Sequence, residues 1–114
     1  MSWNTNGRNR RATVTSNLVT HISLHSSDPG AGGANEVSGG GYARLAPSYG
    51  SPSNGVVDLT AALNYSTPAS QAVSHIGFWE NSTFLGGFAR TSGDPAANAA
   101  GEYSVASAPI TSAA

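Results

Sequence analysis

Apolar and polar positions alternate most regularly over residues 57–66, where Val57, Leu59, Ala61, Leu63 and Tyr65 interleave with Asp58, Thr60, Ala62, Asn64 and Ser66. A period of two places the first set on a buried face of a strand and the second on a wet one. Thr20, Ile22 and Leu24 share one face in the same way, which predicts a first strand near residues 18–26. Asp28-Pro29-Gly30 then supplies a turn, because Asp bonds back to the backbone, Pro presets φ, and Gly tolerates a positive φ. Residues 42–49 read as a further strand that ends in the Ser51-Pro52-Ser53-Asn54-Gly55 cluster. Residues 73–80 and 83–90, separated by Asn81-Ser82, read as a tight hairpin. The Ala-, Asn- and Pro-rich stretch 93–101 reads as a loop, and residues 102–110 as a strand returning to the sheet.

The N-terminal residues lack either period. Residues 1–11, MSWNTNGRNRR, are expected to form a flexible basic arm, and the β-branched Thr13, Val14, Thr15, Val19 and Thr20 favour extended structure after it. The expectation is an all-β chain with that arm and one β domain over residues 12–114. About six or seven short strands at turn-bounded intervals form a small antiparallel sandwich or barrel-like domain.

Composition narrows the function. Much of the 39% hydrophobic content is alanine, so six Leu, three Ile, seven Val, three Phe, four Tyr and two Trp must build the core. Disorder would need high net charge as well, and the formal charge is only −1. Charged residues are 10% of the chain, well below the roughly 25% of an ordinary soluble domain. With so little repulsion between copies, the surface favours association, and a multi-copy assembly or homo-oligomer is expected. With no cysteine, disulfides and thiolate metal sites are excluded. No 18-residue apolar run occurs, and neither a membrane partner nor a secretory leader is read from the chain.

Candidate chemistry is sparse. His21 and His25 lie four apart, but on a strand they stand about 13 Å apart, too far to share an ion. The glycine-loaded loop 30–41 lacks the Gly-Lys-Ser/Thr of a phosphate cradle, and no Gly-x-Ser-x-Gly elbow opens a helix. The six acids fall singly. No catalytic residue, metal or cofactor is therefore expected, and the chain is read as no enzyme. Arg8, Arg10 and Arg11 are too few for a phosphate-binding face, so nucleic acid is not an expected partner. A protein neighbour is. In His75-Ile76-Gly77-Phe78-Trp79, alternation puts His75, Gly77 and Trp79 on one face and Ile76 and Phe78 on the other. One of Phe78 and Trp79 then faces outwards, to serve a protein interface or stack on a sugar ring.

Three segments in this order carry a resemblance: Leu24-His25-Ser26-Ser27-Asp28-Pro29-Gly30, then Glu36-Val37-Ser38-Gly39-Gly40-Gly41-Tyr42-Ala43-Arg44, then His75 through Trp79. They resemble the Leu-His-Thr-Ala-Asp-Pro-Gly, Glu-Val-Ser-Gly-Gly-Gly-Tyr-Ala-Arg and His-Phe-Gly-Leu-Trp patterns of small virion structural proteins of tailed bacteriophages. The resemblance spans roughly residues 19–110 and implies a virion component that packs against other virion proteins. It implies a minor tail or tail-fibre protein ahead of a capsid-decorating one. Many relatives carry an amphipathic helix before the first strand, which the basic arm is expected to replace here. The residues expected to touch neighbours are Trp3, Arg8, Arg10, Arg11, Tyr42, Arg44, Phe78 and Trp79. An alternative from a different class is a carbohydrate-binding module for the host surface, with Trp79, Tyr42 or Tyr49 stacking on cell-wall glycan.

Overall fold

The computed structural model describes residues 4–90 and 95–111. Seven short strands, all paired antiparallel, follow one N-terminal helix. They lie in three small sheets and do not close into a barrel. The all-β expectation therefore holds for the body, and the sandwich or barrel resolves into smaller pieces.

The largest sheet has β1 (His21–His25) beside β4 (His75–Glu80), with β5 (Thr83–Ala89) on the far side of β4. The hairpin β4–β5 forms where the sequence places it. Its two-residue turn puts Asn81 at a φ of 54°, a conformation that asparagine tolerates better than other side-chain-bearing residues. Registers Ile22↔Phe78 and Leu24↔Ile76 put those four on one face, while Ser23↔Gly77 and His21↔Trp79 share the other. A bulge after Phe78 moves Phe84 opposite Trp79 and leaves Leu85 protruding.

Two further pairs tie early chain to late chain. Here β2 (Val56–Val57) pairs with β7 (Ile110–Thr111), and β3 (Leu63–Ser66) with β6 (Glu102–Val105). The predicted long strand over 57–65 is thus split. Asp58 causes the split: its carboxylate turns inward, accepting from Leu59 N, Ala108 N and the Ser107 hydroxyl. The predicted strand over 42–49 reduces to single bridges, Ile22↔Leu45 and Tyr49↔Leu59, since Pro47 has no N–H to continue a ladder. Ile22, Leu24, Tyr65, Val73, Ile76, Tyr103, Val105 and Ile110 make the core.

The N-terminal reading needs the largest correction. Residues 5–11, expected as an arm, and the β-branched run after them form one helix, α1 (Thr5–Leu18). Asn4 caps it, its side chain accepting from Gly7 N at 2.8 Å. Only Ala12 and Ser16, one turn apart, are buried, and these small residues let the helix backbone lie close to β2 and β7. Asn9 fixes the docking by accepting from Gly55 N at 2.6 Å. Tertiary contact has overridden the weak helix propensity of Thr13, Val14 and Thr15. Trp3 lies outside the described residues.

Candidate interface and the network beneath it

The three segments that carried the resemblance meet on the outer face of the β1–β4–β5 sheet. The Glu36 carboxylate takes two bonds from Arg44, Nε to Oε2 at 2.9 Å and Nη2 to Oε1 at 2.8 Å, and a third from the Tyr42 hydroxyl at 2.9 Å. Desolvation pushes the Glu36 carboxyl up, but the bonds from Arg44 and Tyr42 and the Arg44 charge outweigh it and hold it below the usual carboxylate range. Burial, with Glu36 beside it, pushes the Tyr42 phenol far up, so it stays a protonated donor. That same hydroxyl accepts from Leu24 N at 2.9 Å, and the Tyr42 ring stacks on Tyr65. The Arg44 guanidinium lies 3.5 Å over the Trp79 ring, a cation–π contact.

Beneath the glycine loop runs a second chain of bonds. Trp79 Nε1 donates to Ser23 Oγ at 2.8 Å, Ser23 Oγ lies 2.6 Å from His25 Nε2, and His25 Nδ1 lies 2.8 Å from the Ala34 carbonyl. A carbonyl only accepts, so Nδ1 carries the proton and Nε2 takes the Ser23 hydroxyl hydrogen. Burial holds the His25 ring below its usual pKa of about 6.5, which keeps it neutral. A serine and a histidine in hydrogen-bond reach invite comparison with a nucleophile and its base. Here both are 0% exposed. A substrate has no approach to them, and the ring is oriented by a carbonyl that carries no negative charge.

At its edge, the core-bearing face of the sheet leaves a surface. Phe78, Leu85, Phe88, Val19 and Ile110 line an open apolar groove of about 360 Å³ between β5, the end of α1 and β7. Phe78 is therefore the outward aromatic of the pair, half-buried beside Phe88, and Trp79 is the enclosed one at 7% exposure. Thr15 links this groove to a shallower one lined by Gly7, Arg10, Arg11 and Val14. The exposed large apolar side chains among the described residues are Val14 (60%), Leu18 (45%) and Leu85 (44%), all on α1 or at the bulge.

The sequence-selected residues thus separate into two groups. Arg10, Arg11 and Phe78 line these grooves, whereas Tyr42, Arg44 and Trp79 bind the glycine loop to the body. Arg8 is half-buried, and its Nε is buried without a hydrogen-bond partner among the described residues. Tyr49, a candidate for sugar stacking, uses its hydroxyl on the Ala108 carbonyl at 2.9 Å. Sequence reasoning missed Val14, Leu18 and Leu85. Val14 and Leu18 stand at i and i+4, a signal that counts only once the segment is read as a helix.

Compared with known families, residues 5–102 match the one described as podophage GP4 fiber I protein gp80. The chain belongs to that family. As a fibre protein it is a structural component of the phage virion, in the tail fibre. Because the match begins at Thr5, helix α1 lies within the family region. The search of curated proteins and that of solved structures gave no match.

Proposed function

We propose that this fibre protein is held among its neighbours in several copies by apolar packing on the α1–β5 surface, and that it performs no reaction. The observation that carries this is the exposure of Val14 and Leu18 on α1 and of Leu85 in the Phe78–Phe88 groove, on a chain of only 10% charged residues. Val14 and Leu85, exposed on two adjoining grooves of so weakly charged a surface, mark a place where another protein sits. Other virion proteins and further copies of this chain are the partners. The aromatic residues that a glycan would need, Tyr42, Tyr49 and Trp79, are engaged internally, which weighs against sugar stacking.

The double variant Val14→Asp, Leu85→Asp tests this reading. Both positions are exposed, so the isolated chain is expected to keep its circular dichroism and to melt within about 0.5 kcal/mol per site of the parent. Incorporation into particles, read by immunoblot of purified virions, is expected to be lost. Incorporation at the parental level would overturn the proposal.

A further inference from the structure

The bond chain Trp79–Ser23–His25–Ala34 admits one arrangement of protons. Trp79 Nε1 can only donate and the Ala34 carbonyl can only accept, so the Ser23 hydroxyl must point at an unprotonated His25 Nε2. Adding a proton to Nε2 places two hydrogens in a gap of 2.6 Å. Either the Ser23 hydrogen turns away, and among the described residues it has no other acceptor, or the imidazolium leaves the sheet. A cation on a ring that is 0% exposed also needs water.

What keeps water out is the glycine-rich loop. Gly33 lies over the Trp79 and Phe84 rings so closely that a Cβ there would come within 2.9 Å of Trp79 Cζ2, and the Phe84 ring meets His25 edge-on at 6.0 Å. Ala34 delivers its carbonyl from the same loop. The charged and titratable groups around the ring do not cancel its burial: Glu36 favours the cation, while Arg44, already paired with Glu36, and His75 oppose it.

We propose that this chain of bonds is an acid-sensitive latch, holding the loop 28–36 against the sheet only while the His25 ring is neutral. On protonation the loop lifts, His25 is hydrated and Trp79 loses its hydrogen-bond acceptor.

The sign follows from linkage. In the open loop the imidazole titrates near its ordinary value of about 6.5, and in the closed loop it titrates lower. The latch is fully closed above about 6.5, and its opening constant rises by up to about tenfold for each pH unit between the two values.

Hydrogen–deuterium exchange of peptides covering 26–37, corrected for intrinsic rate, at pH 7.5 and 5.0 measures the opening. In parallel, imidazole ¹⁵N spectra of the intact chain carrying Trp3→Phe follow His25, and fluorescence follows Trp79. Expected are the Nδ1-protonated tautomer at pH 7.5 and a loss of loop protection by pH 5.0 whose midpoint coincides with the His25 titration. His25→Gln should remove the acid response, and His21→Gln or His75→Gln should keep it. An Nε2-protonated tautomer at neutral pH, or protection unchanged to pH 5.0, would refute the latch. If His25→Gln fails to fold, coincidence of the two wild-type midpoints decides, and opening only below pH 4.5 would assign the response to carboxylates.

Discussion

Single residues in this fibre protein are constrained by close backbone approach more than by chemistry. Gly40 sits at a φ of 63°, and a Cβ there would strike the Thr67 carbonyl group and Pro68 N. Left-handed strain and overpacking each cost about 1–3 kcal/mol, so Gly40→Ala is expected to destabilise the chain by about 3 kcal/mol in urea denaturation. An unchanged midpoint would mean the loop gives way. Glu36 carries the second constraint. Its folded carboxyl titrates below the unfolded value, so its contribution is present above about pH 4.5 and lost as pH falls through the folded value. Glu36→Gln should flatten that part of the acid-denaturation curve and leave the decline nearer neutrality in place.

At the scale of elements, the docking of α1 rests on few contacts. Replacing Asn9 with Ala leaves the buried Gly55 N–H without its acceptor, a loss of about 1–3 kcal/mol. Faster amide exchange in both α1 and the 53–57 segment is expected; a change confined to α1 would show that the bond holds nothing together. The same elements show what could be read from sequence. The hairpin β4–β5 was legible because its alternation, its Asn81-Ser82 turn and its partner strand are contiguous. The helix was not, because Ala12 and Ser16 mark its buried side only in the presence of β2 and β7, which lie forty or more residues away. Alternation also separated Phe78 from Trp79 correctly. Which of the two faces is roofed depends on where Gly33 and Arg44 arrive, and no local period records that. The segments carrying the family resemblance were legible as a set, although their roles turned out internal: Glu36, Tyr42 and Arg44 clamp a loop, and Trp79 anchors it.

The whole molecule is long and thin-cored. Its Cα radius of gyration is 14.4 Å and its extents are 46 × 26 × 22 Å, against roughly 13 Å for a compact chain of this length. With a net charge of −1, association of the isolated protein should respond weakly to sodium chloride. Sulfate, which strengthens apolar burial, should promote it. Light scattering across both salts would check this, and dissociation by moderate sodium chloride would point to ion pairing in place of apolar contact.

The pairing of β2 with β7 and of β3 with β6 has a consequence for synthesis. Until residues 102–111 leave the ribosome, Val57 and Tyr65 have no ladder to join and the hydrophobic interior stays incomplete. A prematurely terminated product would lack Tyr103, Val105 and Ile110 from its core and present no finished surface to a growing fibre. A copy truncated before Tyr103 is therefore expected to lack a cooperative unfolding transition.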